Sequence, residues 1–321
     1  MKYQRKSFFR KAITAFVEQK HALGYSYIGS EGLLNVFDDF CCKNYPAEKV
    51  LSKNIGLHWA EHWKSEGRAG HRSRVIVIRE FAKFLNSIGD NAYVIPSELT
   101  RKPFRHVPHI YSKNELTTLF KVADSLSYFS WSPARNLVWS VYLRLLYCCG
   151  LRPREARILL VKDINLNAGI IKIIESKGHN DRYITLASDV LGLCVKYHNL
   201  VTQIFPNREY FFPNHDGTSC YCKGSMNRTF HKCIERAELK THSGDRPRMY
   251  DLRHTFATER MNLWLKEGKD INVFFPYLSI YMGHTNISNT AYYIHLVPDF
   301  FSYVPNYNLS KYENVLPEVE K

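Results

Sequence analysis

Two arginines that lie far apart in the sequence are the first candidates for chemistry. The first, Arg152, lies in a segment where Gly150 can end one helix and Pro153 suits the first position of the next. Arg152 would then lie just before a helix N-terminus, where backbone amides and the helix dipole favour an anion, and Glu155 could pair back to hold it. Taken alone, this segment is better explained as an ordinary helix–turn–helix with surface arginines.

The second arginine, Arg253, lies in a segment that predicts a helix. Leu252 and Phe256 are four residues apart and should face the core, with Arg253 next to that face and therefore partly buried. A buried arginine needs an anion, which could be an internal carboxylate or a bound phosphate.

Further polar residues could act beside the arginines. Lys177 lies in a polar turn, where a lysine is usually just solvent-exposed but could also reach a DNA groove and donate a proton. His284 follows, and Tyr293 comes nine residues later, next to Tyr292. Neighbouring helical residues point about 100° apart, so only one of the two tyrosines can reach a phosphate.

In this order and at these spacings, the residues resemble those of the phage-integrase, or tyrosine recombinase, family. The resemblance rests on Arg152 in GLRPRE, Lys177 in the turn, Arg253 in DLRHTFAT, His284 in MGH and Tyr293 nine residues later. It covers roughly residues 105–300, and the N-terminal part resembles the family's core-binding domain more loosely. No single motif is specific, whereas the ordered set is.

The resemblance implies a reaction on DNA. Tyr293, selected over Tyr292 by its spacing from His284, would attack the scissile phosphate and leave a 3′-phosphotyrosine and a free 5′-hydroxyl. The roles implied for the others are a phosphate clamp (Arg152 and Arg253), proton donation to the departing 5′-oxygen (Lys177) and a hydrogen bond to the phosphate (His284). No cofactor is implied, because the phosphotyrosine stores the bond energy without ATP or a metal.

One position departs from the family's pattern. Family members usually carry histidine three residues before the second arginine, where this sequence has Tyr250. A phenol with a pKa of about 10 is a poor base at neutral pH but can donate to a phosphate oxygen. Either Tyr250 only positions the phosphate, so that water or the basic surroundings deprotonate Tyr293, or His254 contributes. We favour the first account.

The elements that position these residues fall into two predicted domains. Apolar stripes at helical spacing predict a helical domain over residues 1–95, and three prolines predict a linker over 96–108. The resemblance implies that the helical domain is a core-binding domain of the SAM-like type. Residues 109–321 form the predicted catalytic domain with a C-terminal tail, opening with a capping box at 112–115. A hairpin over 169–186 is the main β element, so the predicted fold is mainly α with a small β-hairpin or sheet. The resemblance implies a C-shaped DNA clamp.

The charge of the chain suggests a polyanionic partner. Lys and Arg number 44 against 30 Asp and Glu, for a net charge of +14. A soluble protein that is merely basic would look similar. Double-stranded DNA contacts are predicted on the polar side of the fourth helix and in the linker, at Arg72, Arg74, Arg79, Lys83, Arg101, Lys102 and Arg105.

The cysteines and the hydropathy pattern exclude some classes. Adjacent cysteine pairs in apolar helical patterns are typical of small buried hydrophobes rather than of disulfides. The sequence has no signal-peptide pattern and no long apolar run, so we expect a cytoplasmic protein without membrane association. A cluster of possible metal ligands does not follow a standard zinc spacing and is left open: Cys220, Cys222, His231 and Cys233, with His215 nearby.

Three functions compete at this point. The first is a site-specific recombinase that acts as a dimer to tetramer on two DNA sites, for a phage, a transposon, an integrative element or the chromosome. The second is a type IB topoisomerase, and the third is a DNA-binding relative that has lost activity, for which Tyr250 is the only support. Residues 302–321 are apolar enough to dock, and in this family a C-terminal segment often packs onto the neighbouring protomer.

Overall fold

The computed structural model describes residues 3–100, 107–174, 181–241, 243–284, 286 and 290. The chain divides into two compact units, Met1–His106 and Val107–Lys321. Both units are mainly helical and the second also holds a small antiparallel sheet, which confirms the predicted fold class. The finer division into 1–95, 96–108 and 109–321 stays a prediction. Arg101, Lys102 and Arg105 lie outside the described residues.

Helices of the first unit pack around a core of aromatic side chains. Phe37 is fully buried and meets Trp59 edge to face, with ring centroids 5.0 Å apart. The side chain of Ser52 caps the third helix by accepting from the Ile55 amide. The bounds are α1 Arg10–Ala22, α2 Ile28–Asn44, α3 Lys53–Ala60 and α4 Arg68–Ser87, with a 3₁₀ turn at Ser97–Leu99.

Arg74 is not on the polar side of α4, so its prediction as a DNA contact is wrong. Its side chain is 2% exposed, and its Nε donates to the carboxylate of Glu66 at 3.1 Å. The guanidinium also donates to the carbonyl of Glu61 at 2.8 Å and lies 3.9 Å from the centroid of the Trp63 ring. Arg74 is therefore an internal cation of the first unit. Trp63 itself lies beyond the end of α3 at Ala60.

Other basic residues of α4 remain closer to the surface. Lys83 is exposed, whereas Arg72 and Arg79 are half-buried. Arg79 donates to the carbonyl of Ile95 at 2.6 Å, and Arg72 donates to the side chain of Thr100 at 3.2 Å. These two arginines therefore also tie α4 to the chain that follows it.

Helix α6 forms the centre of the second unit, since α5, α7, α8 and α10 all contact it. Apolar residues surround α6 on several faces, which fits a helix buried by more than one neighbour. The capping box of Ser112 and Glu115 forms at the start of α5 as predicted. The bounds are α5 Lys113–Asp124, α6 Arg135–Cys148, α7 Pro153–Arg157, α8 Ser188–Ile204, α9 Lys223–Arg236, α10 Asp251–Lys266 and α11 Ile271–Met282, with a 3₁₀ turn at Val161–Asp163.

The sheet of the second unit has three antiparallel strands in the order β1-β2-β3 among the described residues: β1 Ile164–Asn165, β2 Ile170–Ile173 and β3 Arg182–Thr185. The predicted hairpin corresponds to β2 and β3, with Ile173 opposite Arg182. Strand β1 was not predicted, because two residues carry too little alternation to be recognised. Lys177 lies outside the described residues. None of the helices in the described ranges has the length and apolar character needed to cross a membrane.

Candidate active site

The C-terminal end of α11 collects arginines from three other parts of the second unit. The last carbonyl groups of a helix have no partner within it and carry the negative end of the helix dipole, so cations are stabilised there. Three guanidinium groups donate to successive carbonyl oxygens: Arg182 to Tyr281 at 2.8 Å, Arg253 to Met282, and Arg152 to Gly283 at 2.6 Å. The chain thus gathers three cations that are remote in sequence.

Arg152 is the N-cap residue of α7, and Pro153 occupies the first turn of that helix, as the sequence predicts. The predicted pairing with Glu155 is also present. The carboxylate accepts from the Arg152 amide at 2.9 Å and from its guanidinium at 2.6 Å. The side chain of Arg152 keeps 15% of its surface exposed, so this guanidinium is held firmly but is not sealed from solvent.

Arg253 lies in the first turn of α10 and is fully buried, which exceeds the partial burial predicted. Its guanidinium donates to the carbonyl of Gly150 at 2.6 Å. Gly150 has φ +58°, and a Cβ there would lie 2.5 Å from the ring of Phe256. Only glycine therefore allows this close approach, which presents the carbonyl of residue 150 to Arg253.

His284 lies directly beside Arg253. A guanidinium can only donate, so the His284 Nε2, 3.2 Å from Arg253, must accept. The proton of the neutral ring is then on Nδ1, which donates to the hydroxyl of Thr290 at 2.7 Å. Burial, followed by the charges of Arg253 and Arg152, lowers the pKa of His284 to about 3. The imidazole is therefore neutral near pH 7.

Glu155 links two of the cations. Arg182 donates to both of its carboxylate oxygens, at 3.0 and 2.8 Å, and Arg152 donates to one of them. Burial would raise the pKa of Glu155, but the hydrogen bond and charge of Arg182, helped by Arg152, outweigh burial and lower the pKa to about 2. The single negative charge of Glu155 is therefore shared by two arginines, so positive charge is in excess in this set of contacts.

Arg182 was not recognised as a site residue from the sequence. A signal was present, because Arg182 alternates with Ile184 on the buried face of β3 and is itself only 7% exposed. A cation at an inward position of a strand indicates a buried partner. Thr290 was also missed, and no local pattern marks it.

Tyr250 precedes α10 at the edge of this cluster. It is 37% exposed, and the centre of its ring lies 6.0 Å from the guanidinium carbon of Arg253. The ring of His254 lies 5.0 Å from that of Tyr250, centroid to centroid. Tyr250, at the position of the family's usual histidine, and His254 therefore both lie near Arg253. Tyr292 and Tyr293, like Lys177, are outside the described residues.

The cysteine and histidine cluster has other contacts. Cys222 caps α9, with its sulfur accepting from the Ser225 amide, and Arg157 donates to the sulfur of Cys220. Cys233 is fully buried in the core. Across the part of the chain that the structure describes, no three His, Cys, Asp or Glu side chains come together as possible metal ligands.

Comparison with known proteins identifies the class to which this fold and this cluster belong. A model of the phage integrase family matches residues 111–299, which is more than half of the chain. The chain belongs to this family of tyrosine recombinases, enzymes of site-specific DNA recombination.

Full-length similarity extends beyond the matched region. The chain is 27% identical over 303 residues to the tyrosine recombinase XerC of Oceanobacillus iheyensis, covering 89% of this chain and 92% of that protein. It is 29% identical over 229 residues to a tyrosine recombinase of Pseudothermotoga lettingae, covering 70% and 69%. These relatives do not favour the type IB topoisomerase alternative.

Solved structures share the fold. The XerH site-specific recombinase bound to difH substrate, in a pre-cleavage complex, is 18% identical with a TM-score of 0.60, covering 90% of this chain and 82% of that one. The Tn1549 transposon integrase in complex with transposon right end DNA is 13% identical, with a TM-score of 0.60 and coverages of 88% and 94%.

Proposed function

We propose that Arg152 and Arg253 bind the scissile phosphate of a DNA site while Tyr293 attacks it. The observation that carries this proposal is the convergence of Arg152, Arg253 and His284 on one end of α11, from which Tyr293 is only a short stretch of chain away. Planar guanidiniums bind two oxygens at once, which suits non-bridging oxygens that gain charge in the transition state.

The chemical step follows from these positions. The Tyr293 oxygen forms a bond to phosphorus as the bond to the 5′-oxygen breaks, leaving a 3′-phosphotyrosine. Lys177 donates a proton to the departing 5′-oxygen, and attack by a 5′-hydroxyl reverses the step and rejoins DNA. Tyr250 donates a hydrogen bond to the phosphate, and the proton of Tyr293 passes to water or to the basic surroundings. The phosphotyrosine keeps the bond energy, so ATP is not needed.

His284 changes its role when DNA binds. Its pKa is low because of burial and of the neighbouring arginines. A phosphodiester brings a negative charge that works against those cations and raises the pKa of His284. With Nδ1 accepting from the Thr290 hydroxyl, the ring can carry its proton on Nε2 and donate it to a phosphate oxygen.

DNA binding outside the site follows from charge. We assign phosphate contacts to Lys83, Arg72, Arg79 and the linker residues Arg101, Lys102 and Arg105, without Arg74. Residues 1–95 act as a core-binding domain and 109–321 as the catalytic domain, with 96–108 as the linker, and both domains bind double-stranded DNA. Two to four copies assemble on DNA in the cytoplasm, with the C-terminal tail as the connecting segment.

Replacing each adjacent tyrosine tests the nucleophile. Wild type and Tyr292→Phe should trap a covalent adduct on a nicked suicide duplex that carries the mapped cleavage site, whereas Tyr293→Phe should trap none. Mapping adducts of the wild type on genomic DNA supplies that site. A second duplex in the reaction should receive the cleaved strand. If only Tyr292→Phe lost trapping, Tyr292 would be the nucleophile. Equal trapping by all three proteins would show that neither tyrosine is the nucleophile.

A further inference from the structure

Arg182 occupies an unusual place for a cation, on the buried face of the small sheet. Its side chain is 6% exposed and lies in β3, whose partner strand places Ile173 opposite. Removing a charge from water is costly unless good hydrogen bonds and an opposite charge compensate for it. Arg182 has both, because it donates two bonds to Glu155 and one to the carbonyl of Tyr281.

The pairing with Arg182 decides where the charge of Glu155 acts. The Glu155 carboxylate lies 2.6 Å from the guanidinium of Arg152. If Arg152 were the only partner of Glu155, the carboxylate would neutralise the positive charge that is needed to bind the phosphate. It would also favour a bidentate pair in which both terminal nitrogens of Arg152 point at Glu155 and away from the phosphate. Arg182 takes both carboxylate oxygens instead, so Arg152 makes only one side-chain bond to Glu155.

Arg182 also reaches the chain segment that carries His284. Its Nε donates to Tyr281, and Gly283, with φ +64°, leaves room for the guanidinium. A Cβ at position 283 would lie 2.8 Å from the Arg182 Nη1, so a side chain there would collide with it. The end of α11 is thus shaped around Arg182.

We infer that Arg182 is a positioning residue that offsets the charge of Glu155 and thereby keeps the Arg152 guanidinium available to the scissile phosphate. This inference rests on the proposed function. Arg182 itself need not touch DNA. Its effect should fall on the cleavage step rather than on DNA affinity, since the clamp on the phosphate matters most in the transition state.

The test compares single-turnover cleavage of the nicked suicide duplex by full-length variants. Arg182→Met should slow cleavage by about tenfold to a hundredfold, the size found for groups that orient ligands at metal sites, with DNA affinity within about threefold of wild type. Arg208→Met is the matched control, because Arg208 is equally buried in the same unit but binds Thr202 and His198. It should cleave like wild type.

Rescue separates charge balance from a purely structural role. Glu155→Gln added to Arg182→Met removes the carboxylate charge that would otherwise neutralise Arg152, and it should restore cleavage at least several-fold. Arg182→Lys keeps the charge, is the milder change if the methionine variant unfolds, and should cleave at a rate between wild type and Arg182→Met.

The inference is overturned if Arg182→Met cleaves as fast as Arg208→Met, if the double variant is no faster than Arg182→Met, or if Arg182→Lys is as slow as Arg182→Met. If the wild-type protein forms no covalent adduct with DNA, the proposed function itself is contradicted.

Discussion

At the scale of single residues, this site works by concentrating positive charge and limiting how it is neutralised. Arg253 has no exposed surface, and its guanidinium donates to the backbone carbonyls of Gly150 and Met282. Glu155 is shared by Arg152 and Arg182. The net result is a preorganised cation cluster, which stabilises developing negative charge without reorganisation during the reaction.

Glu155 should make the stability of the protein depend on pH. Its pKa is lowered from 4.5 to about 2, so its stabilising contribution is complete above about pH 4.5 and is lost as the pH falls toward 2. Glu155→Gln should therefore lower the free energy of unfolding by about 3 kcal/mol at pH 7, with a smaller difference at pH 3. Urea unfolding of both proteins at the two pH values measures this.

An exposed carboxylate of the same unit provides the control for that measurement. Glu209→Gln should change the free energy of unfolding by less than about 0.5 kcal/mol at either pH, because Glu209 is exposed. If Glu155→Gln lowers the free energy of unfolding by the same amount at pH 7 and at pH 3, the role given to the charge of Glu155 is contradicted.

At the scale of elements, helix ends and turns do most of the positioning. The C-terminal end of α11 binds three guanidiniums, the N-terminal end of α7 holds Arg152, and the first turn of α10 carries Arg253. These places have backbone groups without partners inside the helix, so they can hold charged side chains. Helix interiors serve mainly to fill the core.

Helix α4 allows a prediction that separates an internal arginine from a DNA contact. Arg74→Met leaves the carboxylate of Glu66, 12% exposed, without its cation and should lower the free energy of unfolding by about 3 kcal/mol or more. Adding Glu66→Gln should recover part of this loss. Urea unfolding measures both effects, and Lys83→Met, an exposed change on the same helix, should leave stability nearly unchanged.

DNA affinity of the same variants completes that test. Lys83→Met should weaken binding to duplex DNA in a gel-shift titration, by removing one phosphate contact. The folded double variant of Arg74 and Glu66 should bind like wild type. If the double variant is folded but binds DNA as weakly as Lys83→Met, Arg74 contributes to DNA binding and the assignment as an internal cation is contradicted.

At the scale of the whole molecule, the proposed function places more than one copy of the active site on DNA. The net charge of +14 provides attraction to DNA for each copy but does not by itself align copies. Assembly therefore needs a contact between protomers, and the apolar residues of the C-terminal tail are the proposed source.

Deleting residues 304–321 should reduce the pairing of two DNA sites more than the binding of one site. The physical reason is that we assign the apolar tail residues to protomer contact and not to phosphate contact. Gel-shift titrations with one and with two sites measure the two steps. Replacing Tyr307 and Leu309 by serine, which keeps the length of the tail, should give the same pattern. An equal loss of both steps would contradict the proposal.

The sequence by itself determined features whose signals are local. Gly150 and Pro153 predicted the helix boundary that places Arg152, and Ser112 and Glu115 predicted the start of α5. Two β-branched runs around a polar turn predicted the β2–β3 hairpin. In each case the backbone conformation of a few adjacent residues decides the outcome. The order of the arginines and the histidine along the chain also indicated the family.

Tertiary structure decided which charged side chains point inward. Arg74 was predicted to be exposed and is buried against Glu66, while Arg182 was overlooked and joins Glu155 to the end of α11. Arg253 was expected to face an anion, and its guanidinium donates to the carbonyls of Gly150 and Met282. An arginine is stable on either side of an element, so its burial depends on which partners from distant segments approach it, and local sequence does not encode that approach.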